Sequence, residues 1–384
     1  MTTLFFWLAV VTLVGLVATT LDFVIGNRRL CRLRNLPPAP NDSLPAVSVV
    51  IAARNEERNL EHALQSVLRL DFPGLEVIVV EDRSTDATGA ILDRLADQHS
   101  QLRVIHVTEL PTAWLGKCHA LQTGAAQATG PWLLFTDADI VLAPAALRRA
   151  VAWAESQQLD HLAVAPHIQM PGTLLPMFAG AFTVFFGMYA RPWKASDPQS
   201  RHHIGIGAFN LVRTAAYRAV GGHGAIALRP DDDLKLGKLL KQHGCRQAMA
   251  LGDGFVTVEW YASVPELVRG LEKNSFAGVE YNLAAVVAVS VAQLVFVVWP
   301  FAALLLTGGA TRGLNVALVA LMAFLYADNA GFHRLPRWHW VGIPVTALLF
   351  QYIIWRAVIL TLRRNGIDWR GTHYSLAQLK ANKV

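Results

Sequence analysis

The sequence predicts an α/β domain of parallel βαβ units held between membrane-spanning helices, and three observations carry that prediction. Short runs rich in β-branched residues alternate with helical patterns between residues 46 and about 260. Apolar segments long enough to cross a bilayer stand before and after that stretch. Hydrophobic residues make up 53% of the 384 and charged residues only 16%, against about 45–50% and about 25% in soluble domains. A bilayer absorbs that surplus.

Residues 4–25 are apolar, with Asp22 as the only charge, and Arg28, Arg29, Arg32 and Arg34 follow. The length suits a membrane helix, and the missing basic n-region argues against a signal peptide. Positive charge collects on the cytoplasmic side, so the N-terminus is expected outside and the next domain inside. We delimit a membrane helix at 1–27, a basic, proline-containing linker at 28–45, the α/β domain at 46–260, an amphipathic interfacial segment at 261–282, about three membrane helices within 283–362 and a basic tail at 363–384. The apolar run at 174–190, crowded by Pro171, Pro176 and Pro192, reads as interfacial rather than spanning. One span plus three leaves the C-terminus outside, yet Arg363, Arg364, Arg370, Lys380 and Lys383 prefer the inside. The two arguments conflict unless one segment is re-entrant or miscounted. The net charge of +6 lies beside apolar runs and fits lipid headgroups; no nucleic-acid-binding signature is present. Cys31, Cys118 and Cys245 have neither disulfide nor zinc spacing.

Within the domain, strands are expected at Val47–Ala53, Glu76–Val80, Arg103–Val107, Trp132–Thr136 and His161–Ala165, and the chemistry belongs at their carboxyl ends. The first strand runs through Ala53 into Arg54-Asn55-Glu56-Glu57. Glu56 there can accept from ribose hydroxyls, although Asn55 with two acids also reads as a helix start. The second strand reaches Asp82, a carboxylate suited to a uracil N–H; Asp86 is better explained as a first-turn acid. Gly116-Lys117 offers a close backbone approach and a charge for a diphosphate, but it is no P-loop.

The most informative stretch is Leu133-Leu134-Phe135-Thr136-Asp137-Ala138-Asp139. Strand alternation puts Asp137 and Asp139 on one side. Two ionised neighbours repel unless a cation rewards them, and carboxylates plus phosphate oxygens suit Mg²⁺ or Mn²⁺. Asp231-Asp232-Asp233 opens a later helix. Three adjacent acids exceed what a cap needs, and a carboxylate buried beside another suits a general base. Gly205-Ile206-Gly207 before it reads equally as ordinary turns or as a site loop. Arg269 and Lys273 lie on the amphipathic segment as membrane-interface anchors, and Lys273 has the reach for a donor phosphate.

The ordered set Ala-Arg-Asn-Glu, Glu-Asp-Arg-Ser-Thr-Asp, Trp-Leu-Gly-Lys-x-x-Ala-Leu, Thr-Asp-Ala-Asp and Asp-Asp-x-x-Leu resembles the membrane-bound branch of the family 2 inverting glycosyltransferases of GT-A fold, from Val47 to about Asn274. The resemblance implies a nucleotide-sugar donor of UDP type, with Glu56 and Asp82 on the nucleoside and Ala53, Lys117, Asp137 and Lys273 around the donor. It implies Asp139 and Asp137 on the metal, and Asp233 as the base with Asp232 beside it. Processive polysaccharide synthases carry Gln-x-x-Arg-Trp; here the equivalent region is Arg269-Gly270-Leu271-Glu272-Lys273-Asn274. With the tail Gly366-Ile367-Asp368-Trp369-Arg370-Gly371-Thr372-x-Tyr374, this resembles the hopanoid- and carotenoid-associated branch. The expectation is transfer of one sugar to a membrane lipid from the cytoplasmic face of the inner membrane. The rivals are a polysaccharide synthase, a polyprenyl-phosphate glycosyltransferase and a non-enzymatic membrane scaffold. A Rossmann dehydrogenase is disfavoured, because no Gly-x-Gly-x-x-Gly follows the first strand.

Overall fold

The computed structural model describes residues 2–37 and 44–382; Pro38, Ala39, Pro40 and Lys383 of the expected linker and tail lie outside them. The chain forms two compact units. One comprises Leu30–Gln169, Pro192–Glu259 and the end of the chain from Ala381; the other comprises the segment up to Arg29, Met170–Arg191 and Trp260–Lys380.

After helix α1 (Thr2–Arg28), the first unit begins with β1 (Cys31–Arg32). It continues through β2 (Val47–Ala53), α2 (Leu60–Leu68), β3 (Leu75–Asp82), α3 (Thr88–Gln98), β4 (Leu102–Val107), α4 (Gly116–Gln127), β5 (Trp132–Asp137), β6 (Ile140–Leu142), α5 (Ala146–Ser156), β7 (His161–Ala165) and β8 (His167–Gln169). After α6 (Leu174–Ala190) it resumes with β9 (Asn210–Arg213), α7 (Thr214–Ala219), α8 (Asp232–Gln242), β10 (Gln247–Leu251) and β11 (Val256–Glu259). All five expected strands form. The sheet is mixed rather than parallel throughout: its order is β1-β10-β7-β9-β5-β2-β3-β4, with β9 antiparallel to both β5 and β7. The βαβ pattern before residue 165 gave no sign of that insertion. Cys31–Arg32, expected within a linker, instead pairs in parallel with β10 as an edge strand.

Near-continuous apolar runs form the central strands because both faces are covered. Val50, Ile78, Val80, Leu133 and Phe135 pack with Leu121 and Ala125 of α4 and with Leu236, Leu239 and Leu240 of α8. The apolar face read from Leu60, Ala63, Leu64, Val67 and Leu68 is buried as a whole. From β2 the chain steps outward to β3 and β4, then returns to β5 on the other side. This reversal is a topological switch point, where α/β sheets bind ligands. Register places Ala52 opposite Asp137 and Ala53 opposite Glu81, so the carboxyl ends of β5, β2 and β3 stand side by side.

The second unit gathers α1, α6 and the elements after residue 259: α9 (Val264–Ala277), α10 (Leu283–Gln293), α11 (Trp299–Leu306), α12 (Gly309–His333), α13 (Ile343–Arg364), the hairpin β12 (Gly366–Trp369) and β13 (Thr372–Ser375), and α14 (Leu376–Ala381). Its α9 starts with a capping box: Ser263 accepts from the Glu266 N–H, Glu266 accepts from the Ala262 N–H, and Pro265 occupies the first turn. A π turn over Leu294–Val298 joins α10 to α11 just before Pro300. Among the described residues, five helices are long and apolar enough to cross a membrane: Thr3–Arg28, Leu174–Lys194, Leu283–Leu306, Gly309–His333 and Arg337–Arg364.

Candidate active site

The first unit brings its separated acidic motifs to the switch point. Helices α4 and α8 lie on the same core, so their first residues meet. Lys117 Nζ stands 2.8 Å from Asp137 Oδ1 and 3.3 Å from Asp232 Oδ1. Burial works against charge on Lys117. The carboxylates of Asp137, Asp232 and Asp233 outweigh it and hold the ammonium well above its ordinary range.

Asp233 is fixed by main chain: its Oδ2 accepts from the Gly207 N–H at 2.7 Å and its Oδ1 from the Leu234 N–H at 2.7 Å. Burial, and then the neighbouring Asp232, raise its proton affinity. Asp232 is buried and Asp233 is partly exposed, so of the pair Asp233 has the access a base needs. Asp231 belongs to the scaffold, since Arg229 clamps it with Nε and a terminal nitrogen at 3.0 and 3.1 Å. His223 Nε2 lies 3.9 Å from Asp232. Burial lowers its pKa to about 3, so it faces Asp232 as a neutral imidazole.

The Gly205–Gly207 loop joins the two acidic motifs. The Asp137 N–H donates to the Gly207 carbonyl at 3.1 Å. A β-carbon on Gly207 would lie 2.7 Å from Asp137 Oδ2 and 3.4 Å from Asp233 Oδ2. One on Gly205 would overlap the Asp233 carbonyl. Only glycine admits this approach, and the sequence carried that signal, though ordinary turns explained it equally well.

Asp139 is the one place where the strand argument fails. Strand β5 ends at Asp137, and Asp139 sits in the turn leading to β6. The turn keeps the carboxylates close nonetheless. Burial, then Asp137 and Glu56, push the Asp139 carboxyl up to about 7. A cation would relieve that repulsion, so the residues suit Mg²⁺ or Mn²⁺. Among the described residues no three His, Cys, Asp or Glu side chains gather as a metal cage, which leaves ligand positions for donor oxygens.

Asp82 is buried at the end of β3, with the Arg83 Nε at 2.8 Å and an Arg54 nitrogen at 3.5 Å. Sequence reasoning missed this pair of arginines. The Gly116 position is filled from outside by the Asp82 carboxylate, which a β-carbon there would overlap. Gly116→Ala should displace Asp82 at a cost of about 1–3 kcal/mol, read as a lower melting temperature; unchanged thermal unfolding would count against this contact. Asn55 does not cap a helix: it turns with φ 54° and accepts from the Thr85 N–H at 2.8 Å. The Glu56 N–H donates to Thr88 Oγ1 at 2.8 Å, tying the β2 loop to α3. Asp86 lies two residues before α3 rather than in its first turn, and it acts as a cap, accepting from the Thr88 N–H at 3.0 Å. Lys273 lies in the other unit, its Nζ 4.1 Å above the Trp369 ring.

With this geometry in hand, comparisons with known proteins converge. The Glycosyl transferase family 2 profile matches residues 48–221, from β2 through α7. A protein of Staphylococcus aureus (strain USA300) described as 4,4'-diaponeurosporenoate glycosyltransferase is 23% identical over 346 residues, covering 87% of this chain and 89% of that protein. The probable glycosyltransferase YdaM of Bacillus subtilis (strain 168) is 36% identical over 110 residues, 28% of this chain and 26% of that protein, so that match spans about a quarter of the relative. In fold, the mannosyltransferase PcManGT of Pyrobaculum calidifontis, solved with GDP-Man and Mn²⁺, aligns with a TM-score of 0.54 at 19% identity over 93% of this chain and 99% of that one. The architecture is GT-A-like, with a mixed central sheet.

Proposed function

Starting from a chain that carries a family 2 glycosyltransferase domain and is a glycosyltransferase, we propose that it moves one sugar from a nucleotide-sugar, of UDP type, to an oxygen of a membrane lipid by a single displacement with inversion. The carrying observation is the Gly207 junction, which sets the Asp137 and Asp233 carboxylates around one glycine with Lys117 beside them. Glu56 and Asp82 hold the nucleoside, Ala53 lines the donor pocket, and Lys117 offsets diphosphate charge. Asp233 takes the proton from an acceptor hydroxyl as that oxygen attacks the anomeric carbon from the face opposite the nucleotide. Asp139, with Asp137, holds Mg²⁺ or Mn²⁺, whose chemistry when bound is to stabilise charge on the departing diphosphate. The Mn²⁺ with PcManGT supports that assignment. Asp139→Ala should remove the Mn²⁺ dependence of donor binding; equal affinity with and without Mn²⁺ in the wild type would count against it. Incubating membranes with a panel of nucleotide sugars and identifying the lipid product by mass spectrometry tests the whole reading. A released polymer would overturn single transfer.

A second reading of the acceptor comes from the relative described as acting on diaponeurosporenoate, a carboxylate. Such an acceptor is already ionised and needs no base.

The same reading extends to the membrane. Helix α6 leaves from β8 and returns to β9, and β9 pairs with β7, so a crossing there would put hydrogen-bonded strands on opposite sides of the bilayer. The tail gives a second constraint. Asn382 accepts from the Leu228 N–H at 3.0 Å and donates to the Ala225 carbonyl at 3.2 Å, which keeps the chain end on the catalytic side. An even number of crossings therefore separates Glu259 from Asn382.

Helix α13 is the one that does not cross. Arg28 at the end of α1 pairs with Asp328 near the end of α12 at 2.7 Å, while Phe5 at the other end of α1 stacks on Trp299 at 4.9 Å. These contacts set α1 parallel to α12. Helix α13 thus starts on the arginine side, and its tail returns there. Its Leu349, Phe350 and Ile353 pack on Leu267, Val268 and Leu271 of α9. Val345, Leu348, Tyr352, Ile359 and Leu362 remain exposed as one stripe, the pattern of a helix lying in the interface. Three crossings, with the catalytic unit and the tail cytoplasmic, remove the conflict between span count and tail charge. Thr307→Cys should react with an impermeant maleimide from outside, and Arg334→Cys only after permeabilisation. The reverse pattern would sink this orientation.

A further inference from the structure

His106 stands outside the acidic site, on the edge strand β4, in register with Glu81. Both of its ring nitrogens meet carboxylates: Nδ1 lies 3.2 Å from Glu81 of β3, and Nε2 lies 2.8 Å from Asp93 of α3. These are the charged groups that face it from β3 and α3, the elements packed on β4. Arg94, next along α3, turns instead to Glu61 at 2.7 Å. A neutral imidazole carries one N–H and would turn a lone pair toward one of the two carboxylates. Only the imidazolium donates to both. The hydrogen bond to Asp93 accordingly raises the proton affinity of His106, burial opposes the rise, and Glu81 adds to it. A neutral ring keeps the shorter contact, to Asp93, so loss of the proton releases Glu81.

Glu81 carries this ion pair to the ligand end of the sheet. It is buried at the end of β3, and its other oxygen accepts from the Ser84 N–H. That bond closes a tight turn in which Arg83 holds φ 57°, a left-handed backbone that a residue other than glycine keeps only when its surroundings enforce it. The turn presents Asp82 and Arg83. It also braces the loop after β2. Ser84 Oγ accepts from the Asn55 N–H at 3.1 Å, Asn55 Oδ1 accepts from the Thr85 N–H at 2.8 Å, and Glu57 accepts from the Ala87 N–H at 3.0 Å. Glu56 lies between those anchors. A Glu81 side chain released by His106 can rotate toward water, and the turn then loses its acceptor.

We propose that His106 is a positioning residue for the donor: as an imidazolium between Glu81 and Asp93 it clamps the Ser84 turn, and so sets Asp82 and Glu56 for the nucleoside. This rests on the reading above of Asp82 and Glu56 as nucleoside contacts. Donor affinity is then highest while His106 is protonated and falls as pH rises through its raised pKa. The test measures UDP and GDP binding by calorimetry from about pH 5.5 to 8.5, which brackets histidine titration, on the full chain in neutral detergent. Amide exchange of residues 82–88 is followed on the same samples without nucleotide. His106→Gln should weaken binding about threefold at the acidic end, the scale of a partly exposed ion pair, and converge with the wild type at the alkaline end. Asp139, Asp233 and the nucleotide itself titrate alike in both chains and cancel in that comparison. Asp93→Asn, which touches neither loop, should move the fall in affinity to lower pH. Exchange in the turn should be faster in His106→Gln than in the wild type at the same acidic pH. An equal loss of affinity at every pH would mean a packing role, and an unmoved fall in Asp93→Asn would assign it to another group; either overturns the clamp. Nucleotide binding indifferent to His106 sinks the clamp alone. Turn protection that follows His106 in a chain that binds neither nucleotide keeps the clamp and sinks the nucleoside reading beneath it.

Discussion

Asp233→Asn should lower the turnover of sugar transfer by about 10²–10⁴-fold, the usual range for removing a general base, while nucleotide-sugar affinity stays within about threefold. The amide keeps the volume, and its one oxygen, facing Gly207, can retain the bond from that N–H at the loss of the one from Leu234, so the loop that carries Gly207 stays anchored. What it loses is the capacity to take a proton. The measurements are single-turnover rates with a lipid acceptor and donor binding by calorimetry on the same preparation. Full activity in the variant would refute the base assignment. If the acceptor is a carboxylate, the variant should lose little turnover, which separates the two readings of the acceptor. The pH dependence follows in sign from the same environment. Burial and Asp232 favour the protonated Asp233, so the active carboxylate forms at higher pH than an ordinary one, whose pKa is about 4. Activity should rise with pH through a limb displaced upward from that value, and Asp232→Asn should move the limb downward by removing the neighbouring negative charge.

The parts of the site legible from sequence were those written by local rules. Five strands announced themselves because parallel strands buried on both faces need unbroken apolar runs. Asp82 and Asp137 stood out at the strand ends because nothing local explains them there, and Asp233 because three successive acids at the start of α8 exceed what a helix start needs. What stayed hidden depended on partners distant in sequence. Asp231 looked equivalent to Asp232 and Asp233 until Arg229 was seen to occupy it. The arginines on Asp82 read only as neighbours in a loop, and Asp139 was assigned to a strand that ends two residues earlier. Strand β9, four residues long, carries too little pattern to reveal that it inserts antiparallel between β5 and β7. The charge conflict over the tail came from span counting, which treats each apolar helix as a crossing; α13 is long and apolar enough to be one, and the reading proposed above lays it in the interface instead.

Gly207→Ala should be nearly as damaging as loss of the base, although it removes no functional group. The added methyl would meet Asp137 Oδ2 at 2.7 Å, closer than carbon and oxygen tolerate, and Asp233 Oδ2 at 3.4 Å. The backbone there needs no positive φ, since Gly207 is absent from the residues that adopt one, so alanine meets no dihedral penalty and the fold should persist with a loss of about 1–3 kcal/mol from overpacking. Relief comes by parting the two carboxylates, and a shift of about 1 Å at reacting groups costs on the order of 10²-fold in rate. Asp137 also carries the contact to Lys117, so donor affinity should weaken together with turnover, in contrast to Asp233→Asn, where turnover falls alone. Thermal unfolding, donor affinity and single-turnover rate measured on one sample decide the matter. A variant that stays folded and binds and turns over donor like the wild type would show that the two acidic motifs need not meet at this glycine, and the catalytic arrangement argued from it would have to be abandoned.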